Sequence, residues 1–200
     1  MTTDTITAQH HWPTLPVMEQ RFGHKAAVVW LTGLSGAGKT TIAHKVQFCL
    51  FEQCVHTFVL DGDQLRNGLN HDLGFSAGDR RENIRRAGEV ASLFYQSGAV
   101  VLCSFISPFI ADREMVKKLF PEGRFLEIYV KCSLEECVRR DPKQLYKRAL
   151  NQSIPSFTGI SSPYEAPEKP AMVINTEHCT ETEAVDMVLT LLRVEGIINY

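Results

Sequence analysis

The stretch Gly33-Leu34-Ser35-Gly36-Ala37-Gly38-Lys39-Thr40 decides the fold. It satisfies G-x-x-x-x-G-K-[ST], the form of a phosphate-binding loop. An apolar run at 26–31 precedes it, and a helical pattern from Lys39 to about Phe51 follows. That is the strand–loop–helix setting the motif requires. Gly33, Gly36 and Gly38 let the backbone take positive φ and bring its N–H groups close to phosphate oxygens. The helix start adds unpaired N–H donors and partial positive charge. Lys39 can then reach the β- and γ-phosphates of a nucleotide, and the Thr40 hydroxyl can bind Mg²⁺.

Outward from the loop, short apolar runs alternate with helical patterns. Strands are expected at 26–31, 56–60, 99–104, 125–131 and 171–175. This order predicts an α/β fold, a parallel five-stranded sheet with helices on both faces. Ligands of such sheets bind at the carboxyl ends of the strands. Residues 1–24 are polar, with His10-His11-Trp12-Pro13 and Pro16, and read as an arm outside the sheet. Residues 140–170 carry five prolines and Phe157-Thr158-Gly159. Long loops of this kind in compact domains tend to be lids or binding segments.

Composition sets bounds on function. At 200 residues, 44% hydrophobic and 22% charged, the chain suits one soluble α/β domain with a sizeable core. A net charge of −2 offers no global field for nucleic acid or membrane. Six cysteines show neither C-x-x-C nor zinc-finger spacing, so a reduced, cytoplasmic protein without structural metal is expected. No signal-peptide pattern opens the chain, and no apolar run reaches the roughly 18 residues of a membrane span.

Three further motifs fall at expected strand ends. Leu60-Asp61-Gly62-Asp63 puts two carboxylates beside the phosphate loop, suited to Mg²⁺ handling or to activating a nucleophile. An Asp-Gly turn is the bland alternative. Arg66 lies within a helical turn of Asp63, so both can face one ligand. In the motif at 73–86 and the stretch after it, Ile84, Ala87, Ala91 and Phe94 recur at helical spacing and should face the core. Arg80 and Asn83 share another face, where a guanidinium and an amide can recognise an anionic group and a base or sugar. Arg81 reads as a surface residue, and Glu82 suits ion pairs with Arg85 and Arg86. The third motif, Ser104-Phe105-Ile106-Ser107-Pro108, leaves open whether its serines bind a ligand, accept a phosphoryl group or only make a turn.

Together these motifs resemble the adenylylsulfate kinases. That family carries G-L-S-G-x-G-K-[ST], L-D-G-D, L-G-F-S-x-x-D-R-x-E-N-I-R-R, S-F-I-S-P, D-P-K-x-L-Y-K, F-T-G-I and P-Y-E-x-P. Here they stand in order at 33–40, 60–63, 73–86, 104–108, 141–147, 157–160 and 163–167. The phosphate loop alone is generic; L-G-F-S-x-x-D-R-x-E-N with F-T-G-I is specific. The resemblance implies a three-layer P-loop kinase fold with a mobile lid at about 140–160, in a kinase domain at 25–200. It implies transfer of the ATP γ-phosphoryl group to the 3′-hydroxyl of adenosine 5′-phosphosulfate, giving 3′-phosphoadenosine 5′-phosphosulfate and ADP. It also implies Mg²⁺ with ATP, small-molecule substrates only, and a homodimer.

The same resemblance distributes the residues. Gly33, Ser35, Gly36, Ala37, Gly38, Lys39, Thr40 and Thr41 would hold the ATP phosphates and the metal. Lys143, in the lid, would meet the transferring phosphates, and Cys179 would lie near the ATP base. Asp63, Arg66, Phe75, Arg80, Asn83, Ile106 and Ser107 would bind adenylylsulfate, with a glycine-like Ser156 and Phe157 closing over it. Phe75 and Phe157 would sandwich its adenine. Lys39, Asp61, Asp63 and Ser107 would serve catalysis, Ser107 as a binding residue and not as a phosphoacceptor. The chain departs from the family at Gln144, where glycine is usual, at 149–152, and at Phe109-Ile110. Loss of glycine should restrict lid dynamics. Two other readings stand beside this one. Another small-metabolite P-loop kinase, for gluconate or a nucleoside, is disfavoured by Phe75, Arg80, Asn83 and Phe157. A non-catalytic nucleotide-binding module is disfavoured by the intact Lys39, Asp61 and Asp63.

Overall fold

The computed structural model describes residues 13–151 and 156–199. The expectations for His10, His11, Trp12, Gln152 and Pro155 lie outside them. Elements follow in the order α1 (Leu15–Phe22), β1 (Ala27–Thr32), α2 (Lys39–Glu52), β2 (Thr57–Asp61), α3 (Gly62–Asn67), α4 (Ala77–Gln96) and β3 (Val100–Ser104). Then come α5 (Ile110–Lys117), β4 (Phe125–Lys131), α6 (Leu134–Arg140), α7 (Leu145–Leu150), β5 (Met172–Asn175) and α8 (Glu181–Val194). The five strands form one parallel sheet in the order β2-β3-β1-β4-β5. Each expected strand begins within one residue of its place in the structure.

The sheet is buried on both faces, and the alternation of side chains sorts β1 between two cores. Ala27, Val29 and Leu31 join Ile42 and Val46 of α2 and Leu189 of α8. Val28 and Trp30 join Ile84, Ala87 and Ala91 of α4. The helical spacing that marked those α4 residues therefore does face the core. Phe94, at the same spacing, stacks on Phe58 of the edge strand at 4.0 Å between ring centroids.

β1 leads to strands on one side and β4 continues on the other, so the strand order reverses beside β1. That crevice at the carboxyl ends is where open α/β sheets take ligands.

Two segments gain structure that the sequence reading left out. Within the N-terminal arm, α1 starts with proline in its first turn and ends on Gly23 at φ 73°. Its Glu19 accepts the Ala26 N–H at 2.8 Å and pairs with Arg124 at 3.1 Å, which docks α1 beside the start of β1. Within 140–160, α7 is a short helix whose start is formed by Asp141 accepting the N–H groups of Tyr146 and Lys147. No described helix is long and apolar enough to cross a membrane. All six cysteines are free thiols, with Cys103, Cys132 and Cys137 buried.

Candidate active site

A cavity of about 780 Å³ opens at the carboxyl ends of the strands. That volume is in the range of nucleotide and cofactor sites. On one side it is floored by the loop between β1 and α2. Gly36 and Gly38 take φ 76° and 100°, the left-handed region that favours glycine. Gly33 answers a different demand: a Cβ there would meet the Val130 carbonyl oxygen at 2.3 Å. Ser35, Gly36, Gly38, Lys39, Thr40 and Thr41 line the cavity, whereas Gly33 and Ala37 lie behind it, Ala37 fully buried. These two shape the loop from behind the cavity wall.

Lys39 is buried, and its Nζ donates to the carbonyls of Gly33 at 2.9 Å and Leu34 at 2.7 Å. Burial pushes its pKa down to about 8, against the pull of nearby Asp63 and Asp61. A polyphosphate arriving at the loop offsets that cost and favours the ammonium form. Thr40 Oγ1 donates to Asp61 Oδ2 at 2.8 Å and lies 3.1 Å from Ser104 Oγ. Asp61 also caps α3 by accepting the Asp63 N–H at 2.9 Å. One carboxylate therefore serves the turn that the bland reading proposed and the phosphate side of the site at once. The three oxygens are hard donors of the kind a phosphate-bound Mg²⁺ accepts. Among the described residues no cluster of three or more His, Cys, Asp or Glu could hold a metal ion by itself.

The opposite wall comes from α3, the start of α4 and the loop after β3. Phe75 is 48% exposed, with the Arg66 guanidinium 4.5 Å from its ring centroid and that of Arg80 at 5.8 Å. Arg66 is held by the Gly74 carbonyl at 2.9 Å. Arg80 is held by the carbonyls of Phe75 at 3.0 Å and Ser156 at 2.5 Å. Burial lowers the pKa of both arginines, yet a guanidinium keeps its charge throughout. Asn83 is buried on the same face as Arg80, and its Oδ1 accepts from Asn70 at 3.0 Å. Arg81 is solvated, and Glu82 pairs with Arg85 and Arg86, as its spacing predicted.

The third side is built from residues within 140–148 and from Phe157 and Thr158. Tyr146, buried, donates its hydroxyl to the Ser35 carbonyl at 3.0 Å and so packs this segment on the phosphate loop. Lys143 pairs with Asp63 across 80 positions of sequence. Gln144 and Ser156 take left-handed φ of 53° and 56°. The glycine-like conformation expected at Ser156 is thus present. Phe157 lines the cavity but is only 7% exposed, edge-on to Tyr146 at 5.0 Å. Cys179 lies on the wall near Thr176, Thr180 and Arg140.

Ile106 and Ser107 line the cavity. The Ser107 hydroxyl is committed elsewhere: it accepts from Trp30 Nε1 at 3.1 Å and donates to Thr32 Oγ1 at 2.9 Å. The sequence reading missed this support, namely Trp30, Thr32 and Tyr164, and also Arg113, Arg140, Tyr146 and Thr176, and it left the role of Ser104 open. Arg140 grips Thr176 through its carbonyl at 2.8 Å, and Thr176 in turn donates to the Ala37 carbonyl at 3.0 Å. Of these, only Tyr146 and Tyr164, inside the motifs at 141–147 and 163–167, and Arg140, next to Asp141-Pro142, carried any local signal.

Lys39, Arg66, Arg80, Arg140, Lys143 and Arg148 thus face Asp61, Asp63 and Glu181 around one cavity. A cationic excess with a phosphate loop on one side and an aromatic platform between arginines on the other defines a nucleotide-dependent phosphotransferase of the P-loop kinase class.

Comparison with known proteins narrows the class. The adenylylsulphate kinase family model matches residues 25–175. The chain is 53% identical over 176 residues to a probable adenylyl-sulfate kinase of Bacillus subtilis (strain 168), covering 88% of each. The Mycobacterium tuberculosis APS kinase solved with AMPPNP and APS superposes with a TM-score of 0.82 at 41% identity, over 85% of this chain and 99% of that one. A gluconokinase from Sinorhizobium meliloti 1021, at 16% identity and a TM-score of 0.57, covers 86% of this chain and 94% of its own and shares the fold alone. The chain belongs to the adenylylsulfate kinase family.

Proposed function

We infer that this protein is an adenylylsulfate kinase: it moves the γ-phosphoryl group of ATP to the 3′-hydroxyl of adenosine 5′-phosphosulfate. The observation that carries the reading is the placement of Arg66, Phe75 and Arg80 across one cavity from Lys39 and Thr40. The acceptor then needs an aromatic face for its base and guanidinium groups for its phosphosulfate. A sugar acid such as gluconate would leave the Phe75 platform unused.

The geometry supports the following roles. The loop amides and Lys39 hold the ATP phosphates and neutralise charge on the group in flight. Thr40, Asp61 and Ser104 are the residues that would hold Mg²⁺ with those phosphates. When bound, the ion supplies further neutralisation of the β- and γ-oxygens. Asp63 orients the ribose hydroxyl and takes its proton as the oxygen–phosphorus bond forms and the bond to the ADP oxygen breaks. Lys143 must leave Asp63 for this. Both partners of that pair are more than half exposed, and such pairs are worth only about 0.2–1 kcal/mol, so triphosphate can readily draw Lys143 away. Cys179 lies on the ATP side, and Phe75 with Phe157 brackets the acceptor base. Ser107, its hydroxyl already engaged, contributes through its loop and not as a phosphoacceptor.

Residues 25–200 act as the kinase domain in this reading, with 140–160 as its lid. The protein works in the cytoplasm as a homodimer on small molecules only. Light scattering giving a monomer or a higher oligomer would reject the dimer. The reaction itself is tested by a coupled assay of ADP release. ADP should appear with ATP plus adenosine 5′-phosphosulfate, and not with gluconate or a nucleoside as acceptor. Turnover with gluconate but not with adenosine 5′-phosphosulfate would overturn the assignment.

A further inference from the structure

We propose that Arg113, which lies outside the cavity wall, is a positioning residue for the acceptor site. Its guanidinium ties together the two segments that enclose that site, 104–108 and 157–165. This role rests on the kinase reading above.

Arg113 sits on α5 and is only 2% exposed. Its three donor positions go to three different parts of the chain. Nε donates to Glu127 Oε1 on β4 at 2.6 Å, Nη1 to the Ser107 carbonyl at 2.7 Å, and Nη2 to the Glu165 carbonyl at 2.9 Å. Glu127 neutralises the buried charge and anchors it to the sheet. The other two bonds are the informative ones, because they end on the backbone of segments that carry site residues.

Ser107 takes φ 39°, a left-handed conformation that a residue other than glycine keeps only where its surroundings over-determine it. Here they do. Thr32 Oγ1 donates to the Ile106 carbonyl at 2.8 Å while receiving the Ser107 hydroxyl, and Arg113 holds the Ser107 carbonyl from the other side. Ile106 and Ser107, both on the cavity wall, are thereby fixed.

Glu165 carries the second segment to the same point. Its N–H donates to the Pro108 carbonyl at 2.8 Å and its Oε2 accepts the Ile110 N–H at 2.7 Å. Upstream, the turn after Phe157 is closed by Gly159 N–H to the Ser162 carbonyl at 2.8 Å and by Phe157 N–H to Ser161 Oγ at 2.9 Å. Tyr164 adds a contact from its hydroxyl to Thr32 Oγ1 at 3.0 Å. Ser107 and Glu165, the latter at the end of the segment that begins at Phe157, thus share one guanidinium. An ammonium cannot span three such acceptors in a plane.

The test is Arg113→Lys, with Glu127→Gln as a milder variant that keeps an acceptor for Nε but removes the anchoring charge. Loss of a charge-assisted bond should raise the KM for adenosine 5′-phosphosulfate by about tenfold or more in Arg113→Lys, with the ATP KM unchanged. Glu127→Gln should move the same constant in the same direction by less. Trp30 reports the loop without activity: in a Trp12→Phe background its emission should shift in Arg113→Lys as its partner Ser107 moves. A purely structural arginine predicts a lowered Tm with both KM values and the Trp30 emission unchanged, and that result overturns the proposal. If Arg113→Lys does not fold, Glu127→Gln decides by the same two readouts. A wild-type protein inert toward adenosine 5′-phosphosulfate removes the kinase reading itself; an active wild type with unshifted variants removes only the role of Arg113.

Discussion

Lys39 braces the phosphate loop through the Gly33 and Leu34 carbonyls. In the proposed reaction it is also the buried cation nearest the transferring group. Lys39→Ala should therefore lower kcat by about 10²–10³, the usual cost of one preorganised electrostatic contact. The circular dichroism spectrum should stay that of a folded α/β protein. Near-normal turnover of folded protein would remove the phosphate-loop assignment. In the proposed reaction Asp63 is the counterpart on the acceptor side. Asp63→Asn should cut kcat by about 10²–10⁴ as the proton acceptor is lost, with little change in the ATP KM. A raised ATP KM with kcat intact would instead make Asp63 an ATP-site residue.

At the scale of elements, the segment 140–160 is the most unusual part of the fold. It packs on the phosphate loop through Tyr146, yet its helix α7 starts on Gln144 in the left-handed region. A side chain in that conformation costs roughly 1–2 kcal/mol, and glycine, though it avoids this, loses about 0.5–1 kcal/mol more conformational freedom on folding. Relief wins narrowly. Gln144→Gly should raise stability in urea by roughly 0.5–1 kcal/mol. A fall in the urea midpoint would show that Gln144 makes an interaction worth more than its strain.

The whole molecule carries a pH dependence at the end of the sheet remote from the cavity. His24 is buried; Nδ1–H donates to the Lys25 carbonyl at 3.1 Å, and Nε2 accepts the His56 N–H at 3.0 Å. The Nε2 contact requires the neutral ring, and burial lowers its pKa below the ordinary 6.5, with the Lys25 carbonyl pulling the other way. His56 nearby opposes the cation and Glu19 favours it, without reversing the direction. The unfolded chain takes up this proton first, so the stability is fully present above about 6.5 and is lost as the pH falls below it. The urea midpoint should drop between pH 7.5 and 5.5, and His24→Gln should flatten that drop. An equal drop in both proteins would place the titrating group elsewhere.

The sequence alone determined the sheet and one side of its site. Apolar runs and helical spacing located the five strands, since both periods are local and survive without knowledge of the fold. The phosphate loop was legible for the same reason: its glycines, lysine and threonine act through their own backbone within one turn. The acceptor side was legible as far as Arg80 and Asn83, which one helix places on one face. Only the tertiary structure decided the rest. The pairing of Lys143 with Asp63, the burial of Phe157 against Tyr146, the commitment of the Ser107 hydroxyl to Trp30 and Thr32, and the grip of Arg113 on two loops all join residues far apart in the chain. No periodicity encodes such contacts. They exist because the parallel sheet brings the ends of β1, β3 and β4 together, and buried donors and acceptors there must find partners wherever packing has put them.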